Sequence, residues 1–168
     1  MDEKGDSVIE KLYLDMDGVL TNFEQRWAEL FGGPAEVVRD RKNFSREWPE
    51  FVEKGAFETL DWFPGAHKLL EYVRTLNVPV EILSSSGGAR FHFEVAEQKE
   101  FWLKSKEITY KANIVPGRRF KSEYAKPNVV LVDDTKQIID SFNDAGGIGI
   151  LHRDVNITIE KLETLLNT

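Results

Sequence analysis

The sequence predicts an α/β protein: a doubly wound, Rossmann-like parallel sheet with helices on both faces and a small helical cap inserted after the first strand. Three observations carry that expectation. Short apolar runs alternate with helical patterns over most of the chain. The runs, such as Val129-Val130-Leu131-Val132, are apolar almost throughout, as strands covered on both faces are. Three of them end in polar residues, at Asp15 and Asp17, at Ser84-Ser85-Ser86 and at Asp133-Asp134. A parallel sheet gathers such ends at its carboxyl edge, where ligands bind.

Residues 7–14 are the expected first strand. From Phe23 to Phe31 the period becomes helical, with Phe23, Trp27, Leu30 and Phe31 on one face, and Gly32-Gly33-Pro34 stops it. Residues 35–42 and 45–53 read as two short polar helices, and 55–64 as a connector holding Phe57, Trp62 and Phe63. The stretch 22–62 is therefore expected to be the cap, with 1–21 and 63–168 forming the core. Alternation resumes after Pro64-Gly65, with a helix at 66–76 whose Leu69, Leu70, Val73 and Leu76 point inward. A strand at 78–83 runs into the serine-glycine segment, and the longest helix follows at 91–106. A short strand is expected within 108–115 and at most two helical turns at 121–125. Then come a strand at 128–132, a helix at 136–145 closed by Gly146-Gly147, a strand at 148–151 and a final helix at 158–166.

Bulk properties narrow the function. A chain of 168 residues suits one domain with one small insertion and is long enough for a real core. An apolar fraction of 41% beside 30% charged residues is that of a globular protein, not a disordered one. The net charge of −7 argues against a surface that coats nucleic acid, although a bound divalent cation would still admit an anionic substrate. With no cysteine there is neither a disulfide framework nor a thiolate zinc site. The first six residues lack the pattern of a signal peptide, and no apolar run approaches a membrane span, so the expected location is cytoplasmic.

The stretch Lys11-Leu12-Tyr13-Leu14-Asp15-Met16-Asp17-Gly18-Val19-Leu20-Thr21-Asn22 organises the rest. Side chains one apart on a strand face opposite ways unless the chain turns. Gly18 permits that turn, so Asp15 and Asp17 can converge on one charged object, read as a magnesium ion with a phosphate beside it. A calcium loop does not fit, because Val19 and Leu20 stand where oxygen ligands or glycine belong. Asp133 and Asp134 point the same way: adjacent carboxylates at a buried strand end are most simply explained by a cation. The glycines after Ser85 would let its backbone amide approach a phosphate.

Asp-x-Asp-Gly, a strand into Ser84, a lysine, then a strand into Asp-Asp resembles the haloacid dehalogenase superfamily over nearly the whole chain. Within it, Asp15-Met16-Asp17-Gly18-Val19-Leu20-Thr21-Asn22-Phe23-Glu24 is similar to the 5'(3')-deoxyribonucleotidases. The resemblance implies a magnesium-dependent phosphomonoesterase, in which Asp15 attacks phosphorus to give an aspartyl-phosphate. Asp17 would protonate the leaving alcohol and then activate water, with its carbonyl toward the metal. It also implies Asp134 as a magnesium ligand, Asp133 supporting it, and Ser84 as a phosphate contact. The implied active-site lysine is Lys121 or Lys126; Lys121 is preferred because it opens a short helix beside the sheet edge.

Lys99 matches a phosphate-touching position of the family, and equally reads as an exposed helix lysine. Gly18 and Ser85 complete the substrate contacts. Phe23 stands where the nucleotidases place a ring against the base, a stack worth roughly 1–3 kcal/mol, and is otherwise a core residue. Trp27 is read as core. The expected partner is a small phosphate ester, a nucleoside monophosphate and more specifically a deoxy one. No membrane and no stable nucleic-acid complex are expected, and a homodimer stays open. The rival readings are a phosphatase acting on a nucleic-acid end or a phosphoprotein, and a non-catalytic phosphate-binding module. Asn22 in place of an acidic residue, and the lack of a proline after the serines, depart from the family pattern and bear on substrate choice.

Overall fold

The computed structural model describes residues 8–32 and 41–166, with residues 41–45 described as backbone only. Five parallel strands form one sheet in the order β3-β2-β1-β4-β5. They are β1 (Lys11–Leu14), β2 (Val80–Ser85), β3 (Ala112–Val115), β4 (Val129–Asp133) and β5 (Ile148–Leu151). The helices are α1 (Phe23–Phe31), α2 (Arg41–Glu53), α3 (Ala66–Val73), α4 (His92–Ser105), α5 (Lys136–Asp144) and α6 (Val155–Leu166). Two 3-10 segments, Ala56–Thr59 and Arg118–Tyr124, complete the described elements. No helix among the described residues is long and apolar enough to cross a membrane.

The two-residue period of a strand explains why both faces are covered. Leu12, Leu14, Val130, Val132 and Ile82 point to one face, where Leu69, Val95, Trp102 and Leu162 from α3, α4 and α6 pack on them. Tyr13, Leu83, Val129 and Leu131 point to the other, against Ile138 and Phe142 of α5. All five residues of β4 are buried, which accounts for its unbroken apolar run. The chain passes from β1 to β2 and β3 on one side, then returns to β4 on the other. The carboxyl end of β1 is thus the point where the winding reverses and a crevice opens.

Between β1 and α3 none of the described residues forms a strand of the sheet. The chain leaves and returns through a narrow antiparallel stem, in which the Asn22 amide donates to the Asp61 carbonyl (2.9 Å) and the Phe63 amide to the Leu20 carbonyl (2.8 Å). Asn22 caps α1 by accepting from the Gln25 amide, and Gly32 ends it in the left-handed region. Phe23, Trp27, Phe51 and Phe57 pack ring to ring inside this helical segment. The segment is tied to α4, whose buried Trp102 donates its indole N–H to the Leu60 carbonyl (2.8 Å).

Several expected boundaries are corrected. Pairing in β1 begins at Lys11; Val8 is exposed, and Ser7 lies outside the described residues. The helix expected at 45–53 starts earlier, at Arg41, and carries Pro49 inside it; the helix expected at 35–42 falls mostly on residues 35–40, which lie outside the described residues. β2 starts at Val80 and includes Ser84 and Ser85, and α3 ends at Val73. α6 starts at Val155 because Asp154 accepts from the Asn156 and Ile157 amides.

Replacing Trp102 by Phe keeps most of the buried ring but leaves the Leu60 carbonyl without its donor. The expected cost is about 1–3 kcal/mol, seen as a lower denaturation midpoint with an unchanged denaturant slope.

Candidate active site

The carboxyl ends of β1 and β4 lie side by side, because Leu14 pairs with Val132 and the Asp15 amide donates to the Val132 carbonyl (3.0 Å). That register sets Asp15 beside Asp133 and Asp134. Just past Asp15 the Met16 carbonyl accepts from the amides of Val19, Leu20 and Thr21, winding the chain into a tight turn anchored by buried Val19 and Leu20. Gly18 occupies the turn at φ +84°. A Cβ there would lie 2.0 Å from the Asp134 Oδ2, so Asp134 stands where only a glycine leaves room.

Two buried ammonium groups divide the acidic set. Lys121, 2% exposed, comes from the 3-10 segment after β3 and donates to Asp15 Oδ1 (2.9 Å) and Asp133 Oδ2 (2.7 Å). Lys99, 1% exposed on α4, donates to Asp17 Oδ2 (3.0 Å), Ser84 Oγ (2.7 Å) and the Ser85 carbonyl (2.8 Å). All three ammonium protons of Lys99 are therefore directed at protein oxygens. Thr21 Oγ1 donates to the other Asp17 oxygen (2.8 Å). The Asp15 and Asp17 carboxylates are thus each held by a lysine of their own.

Asp15, Asp133 and Asp134 each offer a carboxylate oxygen, and these oxygens lie within 4.8 Å of one another. Four ionised carboxylates against two ammonium groups leave two negative charges, the charge one divalent cation balances. The donors are all oxygens, the set that suits magnesium. Burial, reinforced by the Asp133 carboxylate, pushes Asp15 up to about 7, against the pull of Lys121. Burial and the Asp15 charge push Asp134 up to about 6. Burial raises Asp133 as well, although Lys121 and the Thr135 amide oppose it. Burial alone would lower Lys121, yet the charges of Asp15 and Asp133 prevail and raise it. Protein cations therefore satisfy these carboxylates only in part, as expected of a site built to receive another cation.

The remaining expected residues fall in several places. Ser84 is fully buried at the end of β2, and Ser85 Oγ accepts from the Gly87 amide (3.0 Å). Lys126 is exposed, whereas Lys121 sits between two of the carboxylates. Lys99 is not the exposed helix lysine that composition allows. Phe23 is partly buried among Trp27, Trp48, Phe51 and Phe57, and Trp27 is buried. The ring of Phe57 reaches the Lys99 ammonium, 5.1 Å from its centroid.

Sequence reading missed Thr21, Thr135 and Arg153. Thr135 holds both acidic neighbours, its amide donating to Asp133 Oδ1 (3.0 Å) and its hydroxyl to Asp134 Oδ1 (3.1 Å). Its place directly after the acidic pair is a signal that could have found it. Arg153 donates to the Asp134 carbonyl. It follows β5, and the shared sheet edge is its only signal.

No protein-family model matches the chain, and no curated protein matches it by sequence. Solved structures share its fold. A dehalogenase captured with an intermediate is similar with a TM-score of 0.59 at 16% identity, covering 97% of this chain and 99% of that one. A HAD-superfamily hydrolase from Ehrlichia chaffeensis gives 0.53 at 15% identity, over 95% and 98% of the two chains. D,D-heptose 1,7-bisphosphate phosphatase from Burkholderia thailandensis gives 0.53 at 10% identity, over 91% and 97%. The fold is the one these hydrolases carry.

Two outcomes test the cation site. Gly18→Ala is expected to weaken magnesium binding at least tenfold in calorimetry, because the new methyl displaces the Asp134 carboxylate; the left-handed backbone adds a stability cost of about 1–3 kcal/mol. The second outcome depends on pH. Asp15 and Asp134 titrate higher in the folded chain than in the unfolded one, so the stability they contribute is complete below about pH 4 and lost as pH rises through about 6 to 7. Magnesium held by these carboxylates would displace those protons, so its stabilisation would grow over the same window. The rise in Tm on adding magnesium should be larger at about pH 8 than at about pH 5.5, and equal rises would refute this assignment of the ligands.

Proposed function

We propose that the protein is a magnesium-dependent phosphomonoesterase of the haloacid dehalogenase type, acting on nucleoside monophosphates through an aspartyl-phosphate on Asp15. The observation that carries the reading is the buried Lys121 ammonium bonded to both Asp15 and Asp133 at the carboxyl edge of a parallel sheet. Phosphate-monoester hydrolysis needs up to about 10²¹-fold acceleration. Charge neutralisation and in-line placement are the effects able to supply most of it. Asp15, Asp134 and the Asp17 carbonyl would hold the magnesium, with Asp133 supporting them. When bound, the ion neutralises phosphate oxygens and lowers the barrier to attack.

The residues divide the remaining work. Lys121 fixes the Asp15 carboxylate through Oδ1 and keeps it oriented. An Asp15 oxygen bonds phosphorus as the bond to the ester oxygen breaks, and Asp17 gives that oxygen its proton. Asp17 then takes a proton from water, which attacks phosphorus and frees Asp15 and inorganic phosphate. For Asp17 to act, its bond to Lys99 has to exchange. An incoming phosphate competes for that ammonium beside Ser84, which couples substrate arrival to release of Asp17. The helical segment between residues 22 and 62 acts as the cap that receives the leaving group. The reading of that group as a nucleoside rests on Phe23 and Trp48, the partly buried rings packed on Phe57, which itself reaches the Lys99 ammonium.

The protein is expected to hydrolyse p-nitrophenyl phosphate with magnesium and to lose at least about 10³-fold in kcat in Asp15→Asn. Retained turnover in that variant would overturn the mechanism. Across a panel, deoxyribonucleoside monophosphates should exceed both ribonucleotides and 5'- or 3'-phosphorylated oligonucleotides in kcat/KM. A preference for oligonucleotide ends would instead favour a nucleic-acid end phosphatase.

A further inference from the structure

One side chain joins the helical segment to the phosphate side of the site. Helix α4 buries three consecutive inward positions, Gln98, Lys99 and Trp102. Trp102 holds the return limb of the segment at Leu60, and Lys99 enters the acidic cluster. Gln98, 9% exposed, spends both ends of its amide on the segment. Its Nε2 donates to the Val52 carbonyl near the end of α2 (2.8 Å), and its Oε1 accepts from the Phe57 amide (3.3 Å). A single amide thus brackets the bend between α2 and the 3-10 turn, and it fixes the backbone from which the Phe57 ring projects.

That ring covers the Lys99 ammonium at 5.1 Å, on an atom whose three protons already face Asp17, Ser84 and the Ser85 carbonyl. Ring and cation attract, and the ring keeps water from the ammonium. We infer that Gln98 is a positioning residue: through Phe57 it fixes where the Lys99 ammonium stands and so how well Lys99 receives a phosphate. The stem at residues 20–22 and 61–63 and the Trp102 bond already tether the segment, so attachment alone does not require Gln98. What Gln98 adds is the placement of Phe57. The inference rests on the reading of Lys99 as the phosphate-side cation.

The test is a double-mutant cycle between Gln98→Met, which keeps length but removes both hydrogen bonds, and Lys99→Gln. It is read on orthophosphate affinity by calorimetry in magnesium buffer, and on kcat/KM for p-nitrophenyl phosphate. Gln98→Met should weaken phosphate binding about tenfold in the wild-type background and less than about twofold in the Lys99→Gln background. The drop in Tm should be the same in both. Phe57→Leu, which keeps an apolar side chain but loses the ring face, should reproduce the pattern and decides the matter if Gln98→Met does not fold. Equal losses of affinity in both backgrounds, or none in either, overturn the inference, as does a Lys99→Gln variant that binds phosphate like the wild type. If orthophosphate binds but no ester turns over, the proposed hydrolysis falls while the binding cycle still decides the role of Gln98.

Discussion

The site depends on one buried ammonium group. Asp15 and Asp133 end neighbouring strands, and their side chains share an edge that admits almost no solvent. Two carboxylates so placed repel each other and lose their hydration, and Lys121 between them offsets both penalties. The topology supplies the lysine. β3 and β4 lie on opposite sides of β1 and β2, so their connection crosses the sheet, and residues 116–128 are little more than the dozen a parallel crossover requires. So short a crossover has no room for a long helix. It makes the 3-10 segment Arg118–Tyr124 instead, and that segment carries Lys121 to the boundary of β1 and β4.

The second lysine is held by different means. Lys99 comes from a long helix on the opposite layer and is locked by Asp17, Ser84 and Ser85 on three sides and by Phe57 on the fourth. The two ammonium groups approach the acidic cluster from the two sides of the sheet, Lys99 from α4 and Lys121 from the 3-10 segment Arg118–Tyr124. Neither lysine neutralises the set. The excess of negative charge over the pair is the charge that one divalent cation would balance.

Much of this was legible in the sequence because the strands are short apolar runs and the central β4 is buried throughout. β5 read correctly and β4 to within one residue at each end, since a run such as Val129–Asp133 has no exposed face to blur it. The start of β1 did not, because Val8 and Ile9 look like strand residues while pairing begins only at Lys11. The start of α6 was hidden by Val155, Ile157, Thr158 and Ile159, whose β-branched side chains favour strands until Asp154 caps them into a helix. In α4, burial of Gln98 and Lys99 breaks the amphipathic pattern, because both are inward for their partners and not for their hydrophobicity. Lys99 was reachable only through a motif, and Gln98 through none. Arg153 acts on Asp134 from nineteen residues away, a contact only the sheet register creates.

The stem formed by residues 20–22 and 61–63 has a consequence for how such a chain diversifies. Chain ends joined across an antiparallel pair stand about 5 Å apart whatever lies between them. Everything from α1 to the 3-10 turn Ala56–Thr59 is spliced in at that gap, downstream of Asp15 and Asp17. On the proposed function, insertions and deletions there would alter which ester is accepted while the strand register that sets Asp15 beside Asp133 and Asp134 stays in place, so selection could rework substrate preference and bond-breaking chemistry on separate schedules.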